Sequence, residues 1–537
     1  MIFAVIGSGV SGLAATWLLN EYSDHEVHLY EADDRPGGHA NTVRFRPKDD
    51  PDSEGVDVDT RIIPCKTIVF NPPTYPNFLR FLQLHPPPKD ELPKSPAWPF
   101  SMFSSSPPEP TKVPSKGIRI LPTEMTFSVS RDGGDFEWAG KNPFTVFCQP
   151  RRLFDPAMWR MLYDVFRFNA CALRYLRRPD ERRISIGQYL KEEGYSDAFK
   201  DNYLIPMTAA VWSTPPDRCF DDFPAQTLIT GKPKWLTICG GSRRYVDQIL
   251  SRLPKAQLHL SSRINCVSSV LDESGGRRKL EVITNDDEKY VYDHVIFACH
   301  SDDALRILQS GGDLGGEEER ILDSFEWNKN EVVLHNGMND LQDIPEDIHG
   351  PVLATLNPPP EVQIDENKVQ GRWRYEHPVL DDKAVSAQRT MHLIQNKRSI
   401  SYAGAYLKYG FHEDGFTSGL LAACSVEDET LYERIHAQFS FSSETEKTSK
   451  TIKTKNVTVR PPFDIRHADH HLFFKQSVAN RIVAGLFGVF EVSGMRSLIG
   501  TLGSIVFGLC ELLIFCPFSV VASAFGQRQL LGKKKAL

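Results

Sequence analysis

Three glycines near the start of the chain have the spacing of a turn that binds a pyrophosphate. The short apolar run Ile2–Ile6 has the composition of a strand, and the residues after the glycines have that of a helix. Gly7 permits the tight turn, Gly9 lets the backbone approach phosphates, and Gly12 lets the helix pack against the strand. The helix N-terminus adds unpaired N–H groups and the positive end of a dipole. We therefore predict nucleotide-binding residues at Gly7, Gly9, Ser11 and Gly12.

An acid follows at the distance that a dinucleotide site requires. The run Glu26–Tyr30 predicts a second strand, and Glu31 comes directly after it. This position lies about 20 residues beyond the glycines, where a carboxylate accepts hydrogen bonds from a ribose diol. Because glycine-rich turns are common, a purely structural loop is the alternative interpretation. The strand before the glycines, the helix after them and the acid at this distance favour the nucleotide.

A second pair of glycines indicates which dinucleotide is bound. Residues 35–39 read Arg-Pro-Gly-Gly-His, and together with Glu31 they resemble the signature of the flavin-containing amine oxidase and phytoene desaturase superfamily. In that superfamily the arginine and the paired glycines bring a second loop onto the FAD pyrophosphate. The resemblance implies a fold of the NAD(P)-binding type that holds FAD, with contacts at Arg35, Gly37, Gly38 and His39. An ordinary turn is the alternative interpretation of these residues.

Later segments resemble the same superfamily, in order along the chain. Arg263–Val267 is similar to the strand whose backbone meets the adenine, and Val295–His300 is similar to the strand that closes the nucleotide domain. Residues 402–420 resemble the strand, loop and helix start that face the flavin, where N–H groups stabilise charge on the reduced ring. A solvated turn at 412–414 is the alternative. The implied contacts are Val267, Gly404, Glu413, Asp414, Gly415 and Phe416.

Composition limits the other classes of function. The chain has 537 residues, enough for two or more domains, and 41% are hydrophobic, which is ordinary for a globular protein. The net charge of −7 gives a nucleic-acid partner no global support. The 10 cysteines show no metal-binding spacing, so we predict reduced thiols and no metal site. Because the first strand begins at residue 2, we expect the chain to start in the cytosol.

The strands and helices that must position these residues indicate an α/β fold. We expect a Rossmann-type FAD-binding domain, a discontinuous mixed α+β substrate domain and a C-terminal apolar helical segment. The predicted boundaries are 1–80, 230–300 and 400–425 for the FAD-binding domain, 84–116 for a disordered Pro/Ser-rich insertion, 117–229 and 301–399 for the substrate domain, 426–472 for a polar linker, and 473–537 for C-terminal helices.

The superfamily implies an FAD-dependent oxidoreductase, an oxidase or desaturase. Such an enzyme takes hydride from an amine-bearing or apolar, lipid-like substrate and passes electrons to oxygen or another acceptor. The residues do not assign a catalytic group. Trp212, Tyr406, Tyr409 and His412 are candidates, and for each of them a structural role is the stronger interpretation. The alternative is a catalytically silent flavoprotein or interaction scaffold, because the chain departs from the superfamily pattern at 61–67, 84–116 and 228–232.

The end of the chain raises the question of a membrane. Leu498–Phe525 is mostly apolar, is interrupted by Glu511 and Pro517, and precedes Lys533–Lys535. A run of about 20 apolar residues is long enough to span, and the lysines would then stay on the cytosolic side. A glutamate near mid-membrane costs about 2.5–3.5 kcal/mol. Two shorter helices, in the bilayer interface or packed on the protein, avoid that cost. We expect a cytoplasmic protein with a C-terminal membrane contact and, as the less favoured form, a transmembrane helix.

Overall fold

The structure, a computed structural model, describes residues 1–46, 55–60, 68–91, 113–123, 127–175, 185–214, 235–271, 278–336, 352–358, 364–426, 459–466 and 478–510. Several sequence predictions lie outside these residues. They are the departures at 61–67 and 228–232, most of the 84–116 insertion, most of the polar linker, and the chain after Cys510.

The strands are β1 Ile2–Ile6, β2 Glu26–Tyr30, β3 Thr42–Phe45, β4 Val56–Asp59, β5 Ile120–Thr123, β6 Ser128–Arg131, β7 Phe136–Ala139, β8 Trp235–Ile238, β9 Leu258–His259, β10 Ile264–Leu271, β11 Arg278–Thr284, β12 Lys289–Tyr292, β13 His294–Phe297, β14 Trp327–Asn336, β15 Val352–Leu356, β16 Val369–Pro378 and β17 Ile400–Tyr402.

The α-helices are α1 Val10–Tyr22, α2 Pro76–Leu84, α3 Pro143–Val146, α4 Pro156–Tyr175, α5 Ile186–Glu192, α6 Asp197–Phe199, α7 Ile205–Trp212, α8 Arg243–Leu250, α9 Ser301–Ser310, α10 Gly316–Leu322, α11 Asp382–Thr390, α12 His412–Ser425, α13 Val478–Val492 and α14 Met495–Cys510. A π-helical turn at Lys200–Leu204 joins α6 to α7. The 3₁₀ helices are Lys89–Glu91, Asp132–Gly134, Pro150–Phe154, Lys255–Gln257, Glu366–Lys368, Met391–Leu393 and Ala405–Leu407.

The chain forms two compact units. Unit 1 comprises residues 1–125, 211–214 and 232–473, and unit 2 comprises residues 126–210, 215–231 and 474–537. Abundant helices and strands, with a parallel sheet in unit 1, confirm the predicted α/β fold class. The division into an FAD-binding and a substrate domain at the boundaries given above stays a prediction.

The main sheet of unit 1 is parallel and gathers strands from distant parts of the sequence. Its order is β17-β13-β1-β2-β9. Val5 of β1 pairs with Leu29 of β2 on one side and with Ile296 of β13 on the other. Parallel neighbours need crossover connections, and α1 supplies the one between β1 and β2. The carboxyl ends of β1 and β2 therefore lie side by side, where the glycine turn and Glu31 follow.

The two faces of this sheet bury different cores. Phe3 and Val5 share a hydrophobic cluster with Leu13 and Trp17 of α1, whereas Ala4 and Ile6 share one with strands β10–β13 and helix α9. Successive residues of a strand point to opposite faces, so an unbroken apolar strand indicates a sheet covered on both sides. Because Phe3, Ala4, Val5 and Ile6 are buried on both faces, this part of β1 holds the glycine turn in a fixed position.

The remaining sheets of unit 1 are antiparallel. β10-β11-β12 and β15-β14-β16 are three-stranded, and β3-β4 and β5-β8 are pairs. In unit 2 the pair β6-β7 packs with α4, and their shared core contains Phe136, Trp138, Met158 and Met161. The methionines of α4 are thus core residues.

Two C-terminal helices, α13 and α14, pack on α4 within unit 2. In the described part of the chain, none of the helices alone has the length and hydropathy needed to cross a bilayer. Arg481–Val492 and Met495–Phe507 meet those requirements only when taken together, and they are bent by 74° at the break between them. The predicted transmembrane helix is therefore not supported.

Candidate functional site

The glycine turn, residues 7–12, has a tightly constrained backbone. Gly7 has a φ of +103° and donates its N–H to the Tyr30 carbonyl at 2.8 Å, which fixes the turn to the end of β2. A Cβ on Gly12 would lie 1.9 Å from the Gly7 carbonyl oxygen. A side chain at either position would therefore strain the backbone or push the helix off the strand.

The start of α1 is open where an anion would bind. A Cβ on Gly9 would meet nothing within 4 Å in the described part of the chain. Among the described residues no side chain caps the helix, and its first turn holds no acid. Most helix N-termini are capped by a side chain, and an uncapped one attracts negative charge. Open space over Gly9 and an uncapped helix fit a pyrophosphate.

The second glycine loop, residues 35–38, is bound directly to the glycine turn. The Gly37 N–H donates to both the carbonyl and the hydroxyl oxygen of Ser8, at 3.1 Å in each case. A Cβ on Gly38 would lie 3.2 Å from the Gly9 Cα. Arg35 donates from Nη2 to the Gly38 carbonyl at 3.0 Å, which closes the loop on itself. The two loops singled out in the sequence thus meet, and the open space over Gly9 lies beside both.

Glu31 also contacts the glycine turn. Its Oε2 accepts the Ser8 N–H at 2.9 Å and the Ser8 hydroxyl, and its Oε1 accepts the Asp33 N–H at 3.0 Å. Each carboxylate oxygen can accept about two hydrogen bonds, so Oε1 keeps acceptor capacity for a ligand hydroxyl. The sequence alone missed Ser8, although its place between two glycines of the turn was a signal that could have identified it.

Val267 is a core residue of unit 1. It is buried in β10, pairs with Val282 of β11, and has its carbonyl against Gly311 at the end of α9. The segment just before β10 does reach the acid loop, because the Ser262 N–H donates to the Glu31 carbonyl at 2.8 Å.

Helix α12 packs closely against the start of α1. A Cβ on Gly419 would lie 2.1 Å from the Ser11 carbonyl oxygen, and a Cβ on Gly415 would lie 2.6 Å from Val10 Cγ1. The Gly404 N–H donates to the Ser418 hydroxyl at 2.9 Å, which ties the end of β17 to the same helix. Glycines four residues apart on one helix face let two helix backbones approach closely.

Glu413 has partners inside the protein. Its two carboxyl oxygens accept the N–H groups of Asn77 and Phe78, at 2.9 Å each, at the start of α2, and Oε1 also accepts the Thr417 hydroxyl at 3.0 Å. Burial raises the pKa of Glu413 to about 8, although these donors act in the opposite direction. The structure thus uses this predicted cofactor contact as the cap of α2.

Asp414 and Phe416 also have structural contacts. Asp414 Oδ2 accepts the Phe411 N–H at 3.0 Å and so caps α12 itself, and burial raises its pKa to about 6. The Phe416 ring lies 5.3 Å from Phe81 and 5.5 Å from Phe78. These residues fix how α12 meets α1 and α2, rather than forming a solvated turn.

A buried carboxylate that the sequence did not single out joins two further elements. Asp59 accepts the Ser242 N–H at 3.0 Å and its hydroxyl at 2.7 Å, and it also accepts the Thr42 hydroxyl. Complete burial raises the pKa of Asp59. This carboxylate binds the start of α8 to β3 and β4. A signal existed, since an acid ending an alternating strand seldom lacks a buried partner.

His39 lies among other rings of unit 1. Its ring is 5.1 Å from both Tyr375 and His377 of β16 and 6.4 Å from His300. His300 stacks on Trp327 with ring centroids 3.8 Å apart. His39 follows directly on the second glycine loop, so this cluster connects the loop to the β14–β16 sheet.

The four residues considered for chemistry lie on or near the segment before α12. Trp212 donates from Nε1 to the Tyr409 carbonyl at 3.1 Å, and Tyr406 is buried in the core with Trp327. Nε2 of His412 lies 2.8 Å from the Tyr245 hydroxyl. Each of the four thus makes a contact within the protein, and a role for any of them in chemistry stays a prediction.

Comparison with known families decides the class of protein. The model of the flavin containing amine oxidoreductase family matches residues 10–327, more than half of the chain. The chain belongs to this family. It is accordingly an FAD-dependent oxidoreductase by class. No curated protein matches the chain at a significant level.

Similar solved structures include several flavoproteins. A CLA-producing fatty acid isomerase from P. acnes has 14% identity and a TM-score of 0.49, covering 78% of this chain and 96% of its own. Cyclohexylamine oxidase from Brevibacterium oxydans IH-35A has 12% identity and a TM-score of 0.47, and the match covers 80% of this chain and 98% of that protein. Reduced UDP-galactopyranose mutase has 14% identity and a TM-score of 0.47, and the match covers 80% of this chain and 95% of that protein.

The residues at the glycine turn fit the family's cofactor. The open space over Gly9 and the uncapped start of α1 would receive the pyrophosphate of FAD, and Glu31 would face its ribose. FAD supplies a hydride acceptor when bound. The residues of the two glycine loops would bind and orient it, at the ends of strands whose sheet is covered on both faces.

Proposed function

We propose that this family member oxidises an amine-bearing or apolar, lipid-like small molecule, as an oxidase or desaturase, with oxygen or another acceptor taking the electrons. The observation that carries the proposal is the junction of the two glycine loops through the Gly37 N–H and Ser8, beside open space over Gly9. The open space beside this junction fits the pyrophosphate of FAD, which is the hydride acceptor of the proposed reaction.

The proposed cofactor contacts fall into two groups. The first surrounds the pyrophosphate and ribose and comprises Gly7, Gly9, Ser11, Gly12, Glu31, Arg35, Gly37, Gly38 and His39. The second, comprising Val267, Gly404, Glu413, Asp414, Gly415 and Phe416, would act through β10 and through the position of α12, because the carboxylates of Glu413 and Asp414 already cap helices.

The cofactor proposal is tested first by its content. Purified protein should be yellow and release about one FAD per chain on denaturation, without a covalent link. Anaerobic mixing with a panel of primary amines, polyamines and unsaturated fatty acids should then bleach the flavin with at least one compound. Release of NAD, or of no nucleotide, contradicts the cofactor assignment.

A catalytically silent flavoprotein is the second candidate. It is favoured by the structural contacts of every residue considered for catalysis, including the ring of His412 beside Tyr245. Such a protein would bind FAD and resist reduction by every compound of the panel, while dithionite would still bleach it. The two candidates thus differ in substrate-dependent reduction and agree in FAD content.

We further propose a cytoplasmic protein that contacts a membrane through its C-terminal helices. An apolar substrate would be concentrated at such a surface. Fractionation of the full chain tests the contact itself, since a protein recovered wholly without detergent and away from membranes contradicts it.

A further inference from the structure

The bent C-terminal pair, α13 and α14, presents an apolar surface that the described part of unit 2 does not cover. On α14 the side chains at spacings of three and four residues, Leu498, Ile499, Leu502, Ile505, Val506 and Leu509, are each 50–57% exposed. This spacing puts them along one side of the helix. Here they are called the apolar stripe. Contiguous exposed apolar surface of this kind marks an interaction site.

The opposite side of the pair is bound to α4 through a partly buried ionic network. Glu491 of α13 accepts the Tyr163 hydroxyl at 2.6 Å and lies 2.9 Å from Arg496 Nη1 and 3.4 Å from Arg167 Nε. Arg167 also lies 3.9 Å from the fully buried Asp164. Every charge in this network has a partner on unit 2.

The network excludes a simple transmembrane pair. To span a bilayer, α13 and α14 would have to leave α4, which would strip Glu491 of Tyr163 and Arg167 and leave Arg167 without that partner. Removing one member of a buried ion pair is strongly unfavourable. The 74° bend at the break between the helices is also incompatible with one straight crossing. Helices held on the protein by their polar side can still lie flat on a bilayer by their apolar side.

We propose that α13 and α14 form an in-plane membrane-binding surface, in which the apolar stripe enters the outer part of one leaflet that contains anionic lipid. Residues 481–510 carry only three charges, Arg481, Glu491 and Arg496, and Glu491 is neutralised by Arg496 within the network. Arg481, which is exposed, is left as the unmatched charge of the pair. Lys533–Lys535 add cations after the apolar run.

A bilayer suits this surface better than a second copy of the chain. Ile482, Leu486 and Val489 leave α13 with a second exposed apolar row, at 58%, 64% and 69%, on an axis 74° away from that of α14. One partner helix in a coiled coil follows one axis and covers one row, so a second copy would have to place helices along both axes at once. A fluid lipid surface adapts to both rows. The inference rests on the membrane contact proposed above and specifies its mode and its lipid.

The first test is vesicle co-sedimentation of the full-length, FAD-loaded protein. We expect binding to phosphatidylcholine vesicles that rises when phosphatidylserine is included and falls with salt. The double variant Leu498→Glu, Ile505→Glu should bind at least about tenfold more weakly, because it puts two charges into the stripe. The control Leu271→Glu changes an exposed leucine of unit 1 (75% exposed) and should bind like the parent. FAD content reports whether unit 1 of each variant has folded, and far-UV circular dichroism reports whether the helices of unit 2 are kept.

The second test separates the in-plane arrangement from a crossing, and it does not need the charged variants to fold. Leu486→Trp and Leu502→Trp each place one fluorescent ring on one helix. Lipids brominated near the headgroup should quench both added rings more than lipids brominated near the chain ends. Stronger quenching of either ring by the deep bromines overturns the in-plane arrangement.

Other occupants of the stripe would give other results. No vesicle binding together with a concentration-dependent dimer that the double variant abolishes would assign the surface to a second copy. No vesicle binding by a monomer would mean that the chain covers its own stripe. Either result overturns the proposal. Absence of flavin reduction with vesicle binding intact contradicts only the proposed oxidoreductase activity.

Discussion

Glu31 is the acid on which the nucleotide site depends. One carboxylate oxygen binds the Ser8 N–H and the other binds the Asp33 N–H, so the side chain also holds the turn that it serves. Glu31→Ala should lower FAD affinity about 10–150-fold, the equivalent of the roughly 1.5–3 kcal/mol of a hydrogen bond to a charged group. Titration of the apoprotein with FAD, followed by flavin fluorescence, measures the effect.

The matched control for this change is Asp34→Ala, which removes an exposed acid from the same loop. It should leave FAD affinity within about twofold, since surface substitutions seldom exceed 0.5 kcal/mol. If Asp34→Ala weakened FAD as much as Glu31→Ala, the effect would belong to the local negative charge and not to the Glu31 contacts.

Glu413 should make the stability of the protein depend on pH. Burial raises its pKa from 4.5 to about 8, so the folded state binds a proton that the unfolded state releases between these values. The stabilising contribution of this group is therefore complete below about pH 4.5 and is lost as pH rises towards 8. The pKa of Asp414 is raised from 3.8 to about 6, so its stabilising contribution is also lost as pH rises, over this lower pH range.

The contribution of Glu413 can be isolated by difference. Denaturant unfolding of the parent and of Glu413→Gln across this window should show the parent losing stability relative to the variant as pH rises. The difference removes the effects of the other titrating groups, including His294, whose pKa burial lowers to about 3. A difference that is flat with pH would mean that the α2 cap holds a carboxylate of ordinary pKa, and a difference that rises with pH would mean that the pKa of this carboxylate is lowered.

At the scale of helices, the contact of α12 with α1 determines where the start of α1 lies in the site. A Cβ on Gly419 would lie 2.1 Å from the Ser11 carbonyl oxygen and 3.0 Å from the Ala14 Cβ. Gly419→Ala should therefore destabilise the protein by about 1–3 kcal/mol, as overpacking does, and weaken FAD by displacing the start of α1. Thermal unfolding and FAD titration measure the two effects separately.

Gly485→Ala is the helical control. This glycine lies within α13, and an added Cβ would meet nothing within 4 Å in the described part of the chain. The substitution should be neutral or stabilise the protein by up to about 1 kcal/mol, the difference in helix propensity. Equal losses of stability for the two substitutions would show that the close packing of Gly419 against α1 is not the cause of the effect there.

The sequence predicted the elements that neighbouring residues determine, and it did not predict contacts between residues far apart in the chain. The bounds of β1 and β2 followed from short apolar runs, and α1 from the glycines before it, because neighbouring residues determine strand, turn and helix start. The role of Glu413 did not follow. Its partners Asn77 and Phe78 lie more than 330 residues away in sequence, and no local pattern reports a contact of that separation. The same holds for Asp59 and Ser242, which are 183 residues apart.

At the scale of the molecule, the main sheet brings together strands that are far apart in the sequence. Its strand β1 begins at residue 2, β13 begins at residue 294 and β17 begins at residue 400. A cofactor bound at the end of β1 therefore stabilises a sheet made of distant sequence. Ligand at 100 times its Kd adds about 2.7 kcal/mol to the stability of the state that binds it. FAD should thus raise protection from hydrogen exchange in all three strands at once, while α4 and α5 of unit 2 gain less.

Hydrogen–deuterium exchange with mass spectrometry on apoprotein and FAD-loaded protein measures this pattern directly. Peptides covering 2–6, 294–297 and 400–402 should slow together, by similar free energies, because parallel strands in register exchange through the same opening. The discontinuous FAD-binding domain requires that coupling. Protection confined to residues 1–80 would show that the N-terminal segment binds the nucleotide alone, and would contradict the assignment of 230–300 and 400–425 to the same domain.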